Sequence, residues 1–123
     1  MPLSCLIVDD SQEFLASAGR LFSLQGMEVV GFASTGDEAL RLAETLSPDV
    51  ALVDVELGDE DGIDLTRRMT SGDSGTSVIL ISLRDRGELA ELMAGCGAVG
   101  FLRKDILDAT AIAGLIQARR EAE

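Results

Sequence analysis

Histidine is absent from this chain of 123 residues. Zinc coordination and imidazole acid–base catalysis therefore lose their usual side chains. Cations are scarce as well: 10 Lys and Arg stand against 22 Asp and Glu, a formal net charge of -12. Nucleic-acid binding needs clustered Lys and Arg for phosphate contacts, so this piece by itself is not expected to touch DNA or RNA. Only 2 cysteines are present. Cys5 lies inside an apolar run and Cys96 among small residues near a helix end, so both read as buried thiols rather than as a disulfide or a metal pair. No apolar run approaches the roughly 20 residues of a membrane span, and the opening MPLSCLIVDD lacks a basic region followed by a long apolar stretch. A cytoplasmic protein without membrane contact is the expectation.

What is present is enough apolar residue, 46% of the chain, to fill one core, and residues 1–123 are read as one domain. Apolar runs over 3–8, 28–33, 50–53, 78–81 and 98–102 read as strands. Between them the apolar positions recur at helical spacing. The first helix carries Phe14, Leu15, Ala18, Leu21 and Phe22, with Asp10 or Ser11 as its cap. The second opens on a capping-box pattern, Thr35 with Glu38, and closes at Ser47-Pro48. The third begins at Gly62, the fourth covers 88–94, and the fifth runs from Ile106 to about Arg119. Residues 57–61 and 71–76 read as loops. Five strands alternating with five helices make an α/β domain with a parallel central sheet, because short right-handed connections leave few other topologies.

In such a sheet every strand exposes its carboxyl end along one edge, where ligands bind. Asp9 and Asp10 follow the first strand, Asp54 the third, Ser82 the fourth and Lys104 the fifth. Three acids meeting at one edge repel one another and raise their own pKa values unless a cation joins them. A divalent cation that takes oxygen ligands would neutralise such crowded carboxylates.

Read together and in order, VDD (8–10), LVDVELGDEDG (52–62), LIS (80–82) and GFLRKD (100–105) resemble the receiver domain of two-component response regulators. The likeness covers the whole chain, and GFLRKD is similar to the matching stretch of regulators with a helix-turn-helix output domain. It implies a flavodoxin-like (βα)5 three-layer sandwich whose five-stranded parallel sheet has the order 2-1-3-4-5. It further implies that Asp54 accepts a phosphoryl group from a sensor histidine kinase. Asp10 and Asp54 would be direct Mg²⁺ ligands, with Asp9 acting largely through water and the backbone carbonyl of Glu56 completing the set. Lys104 would pair with Asp54 and then with the phosphoryl oxygens. Ser82 and Phe101 would be the switch pair that re-packs the surface of the fourth helix, fifth strand and fifth helix. The family's members are phosphoacceptors rather than enzymes in the ordinary sense, and some form homodimers on phosphorylation.

Several positions depart from the family's common pattern. Gly58 stands where proline is frequent and is expected to loosen its loop. Leu83 follows the switch serine where a small residue is usual, and Asp105 follows Lys104 where proline is usual. Glu56 and Arg84 flank the site and are expected to influence the lifetime of the phosphorylated state. Other readings fare worse: an aspartyl-phosphate phosphatase would carry Asp where Glu56 stands, Ser34-Thr35-Gly36 follows the wrong strand for a flavin carrier, and no P-loop glycine-lysine pattern occurs. A phosphorylation-independent pseudo-receiver would not need the set Asp9, Asp10, Asp54, Ser82 and Lys104. Whether the receiver acts alone or through a DNA-binding domain beyond residue 123 is left open by the residues.

Overall fold

The strand-forming runs and helical periods resolve into a three-layer α/β sandwich. A computed structural model describes residues 2–72 and 75–122. Its strands are β1 (Ser4–Val8), β2 (Glu28–Ala33), β3 (Val50–Asp54), β4 (Ser77–Ser82) and β5 (Gly100–Arg103). Its helices are α1 (Gln12–Leu24), α2 (Gly36–Leu46), α3 (Gly62–Thr70), α4 (Arg86–Met93) and α5 (Ala109–Ala122). The five strands pair in parallel in the order β2-β1-β3-β4-β5, as the family resemblance implied.

Strand alternation divides the core in two. Leu6, Val8, Ala51, Val53, Val78 and Leu80 point to one face and pack with Ala39 and Ala43 of α2, Ile63, Leu65 and Met69 of α3 and Leu89 of α4. Cys5, Ile7, Val50, Leu52, Ile79 and Ile81 point to the other, against Leu15, Ala18 and Phe22 of α1 and Ile112 and Ile116 of α5. Every residue from Val50 to Val53 is fully buried, which explains a run with no polar interruption. Each such Val or Leu contributes about 1.5–3 kcal/mol by leaving water. The two thiols are free and buried, as their surroundings suggested.

Local chemistry sets the helix ends. Of the two cap candidates for α1 the chain uses Ser11, whose Oγ accepts from the Phe14 N–H at 3.2 Å. Thr35 Oγ1 accepts from the Glu38 N–H at 3.2 Å, but the Glu38 carboxylate reaches back to Ser34 N at 2.8 Å, one residue earlier than the capping-box rule places it. Ser47 ends α2 in the left-handed region, φ 46°, outside the helix as expected before Pro48 but not in the extended region that a residue before proline usually takes.

Four expectations need correction. Residues 57–61 are no loose polar loop: Glu56–Leu57 and Glu60–Asp61 pair as an antiparallel hairpin, and the Glu60 carboxylate accepts the Gly36 N–H at 3.0 and 3.2 Å. Gly58 turns that hairpin with φ 60°, which proline cannot adopt, so glycine here permits a tight turn and does not loosen the segment. The last helix begins at Ala109 rather than Ile106, because a 3-10 turn, Lys104–Ile106, intervenes. Gln25 Oε1 and Asp108 Oδ1 then accept from Ala109 N at 2.8 Å and Thr110 N at 2.6 Å and start α5 there. The fourth helix begins at Arg86, two residues before its expected start at 88. Of the loop expected over 71–76, residues 73 and 74 lie outside the described residues.

Candidate functional site

Parallel register brings the first and third strand ends together. Val8 lies opposite Val53, so Asp9 and Asp54 leave neighbouring strands at the same level. Asp9 N donates to Ala33 O at 3.0 Å, which holds it at the sheet edge. It has no exposed surface, and Asp54 is only 6% exposed. Asp10 is exposed and is no helix cap, since Ser11 takes that place. One carboxylate oxygen from each of Asp9, Asp10 and Asp54 lies within 4.8 Å of the others. Lys104, carried by the 3-10 turn after β5, sets its Nζ 2.6 Å from Asp9 Oδ2 and 3.5 Å from Asp54 Oδ2.

The two buried carboxylates, Asp9 and Asp54, each keep one oxygen on the backbone. Asp9 Oδ1 accepts from Ser11 N at 2.9 Å and Asp54 Oδ1 from Glu56 N at 3.1 Å. The second oxygens face the cluster. Asp9 Oδ2 is buried and has no hydrogen-bond partner despite the short approach of Lys104, so that contact is a charge pair at a poor angle rather than a directed bond. A buried carboxylate oxygen without a directed hydrogen bond, beside two further carboxylates, is a hard-oxygen donor set, and it suits a divalent cation such as Mg²⁺ or Ca²⁺ far better than a soft metal. Burial, reinforced by the charge of Asp9, pushes the Asp54 carboxyl up to about 6, although Lys104 and the Glu56 N–H pull the other way. Burial alone would lower the Lys104 pKa, but its contact with Asp9 and the charges of Asp54 and Asp9 outweigh that and raise it.

The remaining expected residues ring this cluster. Ser82 ends β4 at 3% exposure, and its Oγ accepts from Arg84 N at 3.0 Å, so it orders the β4–α4 loop rather than capping α4. Phe101, on β5, is half-buried and packs against the α2–α4 side of the core. Glu56 and Arg84 meet across the rim at 2.9 Å, and Arg84 also reaches Glu88 at 3.3 Å. Leu83 is 63% exposed, with most of its surface in water. Every peptide bond among the described residues is trans, Lys104–Asp105 included.

Three contributors were not legible in advance. The Phe14 ring lies under the Lys104 ammonium, 4.4 Å from Nζ to its centroid. Gly62 packs against the β3 end so closely that a Cβ there would overlap the Asp54 carbonyl oxygen, and its N–H donates to Val55 O at 2.9 Å. Arg103 bridges Asp85 at 2.7 Å and Asp105 at 2.9 Å, tying the β4–α4 loop to β5. The only sequence sign of Gly62 was a glycine at a helix start, and nothing local marked the other two.

Residues 5–117 match the family model described as response regulator receiver domain. Among curated proteins the chain is 28% identical over 103 residues to the response regulator GacA of Pseudomonas aeruginosa, covering 83% of this chain and 48% of that protein. It is 32% identical over 104 residues to the transcriptional regulatory protein PdtaR of Mycobacterium tuberculosis, with 85% and 50% covered. The chain thus spans about half the length of the curated relatives it matches. The solved signal receiver domain of the response regulator NarL from Mycobacterium tuberculosis superposes with a TM-score of 0.78 at 30% identity, covering 98% of this chain and 95% of that one. No helix among the described residues is long and apolar enough to cross a membrane. With the family model matching nearly end to end and the fold agreeing, this chain belongs to the receiver domains of two-component response regulators.

Proposed function

We propose that residues 1–123 form one receiver domain whose Asp54 takes a phosphoryl group from a phosphohistidine on a sensor histidine kinase, in a Mg²⁺-dependent step. The observation that carries this is a nearly buried carboxylate at a strand end, with an ammonium 3.5 Å away and two further carboxylates within 4.8 Å. Above its pKa of about 6 Asp54 is ionised at neutral pH. A carboxylate oxygen donates an electron pair to phosphorus to form the O–P bond, the P–N bond breaks, and the imidazole leaves with the P–N bonding pair and takes up a proton. Asp9, Asp10, Asp54 and the backbone carbonyl of Glu56 would hold Mg²⁺, which when bound neutralises the acids and the phosphoryl oxygens. Lys104 supplies the remaining positive charge on the other side, where a flexible ammonium suits a changing partner.

Output follows from the same groups. Ser82 Oγ accepts one hydrogen bond and keeps its own hydrogen to donate to a phosphoryl oxygen, and Phe101, half-buried against the core, would turn inward with it. The helix above is lightly held: α4 buries Leu89 while Leu92 is 56% exposed. Phosphorylation then biases a pre-existing equilibrium of the α4–β5–α5 face. That face serves homodimer formation or an output domain, and the double length of relatives named as transcriptional regulators favours a DNA-binding domain outside residues 1–123. The site is read as cytoplasmic, and the domain acts as a phosphoacceptor with self-catalysed transfer and dephosphorylation rather than as a turnover enzyme.

The test is intact-mass measurement after incubation with phosphoramidate. The wild type gains one phosphoryl group with Mg²⁺ and none in EDTA, and Asp54→Asn gains none. Equal incorporation by Asp54→Asn overturns the assignment.

A further inference from the structure

Lys104 is held by more than its carboxylates. A closed circuit surrounds it: Asp9 Oδ1 accepts from the Ser11 N–H at 2.9 Å, Ser11 Oγ accepts from the Phe14 N–H at 3.2 Å, and the Phe14 ring lies 4.4 Å from Lys104 Nζ. Nζ in turn contacts Asp9 Oδ2 at 2.6 Å. The helix cap holds the backbone of Phe14, and its half-buried ring packs against the core cluster that contains Leu15, Ala18 and Ile112, so the ring is supported from the core side. Lys104 itself is only 14% exposed in its side chain, which places the cation–π contact in a partly desolvated setting.

The two kinds of contact behave differently when a divalent cation enters. Asp9 is both the nearest partner of Lys104 and a member of the acidic cluster, so a metal there competes for the same carboxylate and repels the ammonium. A ring face has no lone pair to give a metal and carries no titrating group. It is therefore a contact of Lys104 for which a metal does not compete. A lysine without it would swing its four-carbon stem toward water.

We propose that Phe14 is a positioning residue that keeps the Lys104 ammonium beside Asp54 when a divalent cation takes Asp9, so that it meets the phosphoryl oxygens there. This rests on the phosphoacceptor reading above and names the residue that readies Lys104 for that role. The arrangement has two opposed consequences. A tethered ammonium opposes the metal by repulsion, and it favours a tetrahedral anion on Asp54.

The experiment compares wild type, Phe14→Leu and Phe14→Tyr by NMR on labelled protein, with Phe14→Met in place of Phe14→Leu should the latter not fold. In the metal-free protein the Lys104 ε-methylene protons are shifted upfield by the ring in wild type and Phe14→Tyr, and not in Phe14→Leu. Phe14→Leu then binds Mg²⁺ as tightly as wild type or more tightly, but beryllofluoride in saturating Mg²⁺ about fivefold to tenfold more weakly. Phe14→Tyr restores the wild-type values. An unchanged Lys104 shift in Phe14→Leu, or a loss of both affinities by one common factor, overturns the proposal. A wild type that binds no beryllofluoride in Mg²⁺ defeats the phosphoacceptor reading instead, and the Lys104 shift still decides whether Phe14 places the ammonium.

Discussion

Replacing Asp54 by asparagine probes the electrostatics of the acidic edge without any phosphodonor. The carboxyl is displaced from 3.8 to about 6, chiefly by burial and then by the charge of Asp9. At 1.36 kcal/mol for each tenfold change in proton affinity, that displacement corresponds to about 3 kcal/mol against the ionised form in the fold. Asparagine keeps the shape and the acceptor for the Glu56 N–H, so it stands in for the neutral acid. Because the folded pKa is the higher one, the favourable contribution of Asp54 is complete below about pH 3.8 and is lost as pH rises through about 6. In EDTA at pH 7.5 Asp54→Asn is therefore more stable than wild type by about 1–3 kcal/mol, the lower bound allowing for solvent at the rim. For a domain of this size that raises Tm by roughly 4–12 °C. Thermal unfolding from pH 4 to 8 shows the gap opening between pH 4 and 7 and closing on addition of Mg²⁺. Equal stabilities at pH 7.5 in EDTA, or a gap as large at pH 4 as at pH 7.5, would refute the reasoning.

Gly62→Ala drives a Cβ into the Asp54 carbonyl oxygen and to 3.0 Å from Val55 Cα. Backbone cannot yield as a side-chain tip does, so the variant loses about 3 kcal/mol in urea denaturation, near the upper end for overpacking; a loss below about 0.5 kcal/mol would contradict the contact. Burial raises the Cys5 thiol to about 12, so in the native protein at pH 8 it does not react with a thiol reagent, whereas both cysteines react in guanidinium. The same group makes the fold lose stability as pH climbs from about 9 toward 12, again because the folded pKa is the higher one. The Arg84–Glu56 pair is about half exposed on each side, so water screens it and Arg84→Ala leaves Tm nearly unchanged, while the half-life of phosphorylated Asp54 changes; an unaltered dephosphorylation rate in the double neutral variant would remove both residues from that role.

The parts of this protein that depend on period and on local chemistry were settled in the residue order. Apolar runs such as 50–53 fit strands buried on both faces, and they stop on Asp54 or just before Asp9, so the carboxylates had to meet at one edge once the sheet was parallel. The Thr35 and Ser47-Pro48 signals bounded α2 for reasons that act within four residues. Tertiary structure decided what depends on distant partners. Alternation too short to register hid the 56–61 hairpin, and the role of Glu60 depends on the Gly36 N–H across the fold. The start of α5 follows from Gln25, which lies 84 positions away in the chain. Phe14 reads as one more apolar position of α1 until the last strand lays Lys104 over its ring. Gly62 reads as a helix start until β3 comes within contact of it. A sequence displays each group's chemistry, but which charge meets which ring or carbonyl is fixed only when strand order and helix placement bring remote segments together.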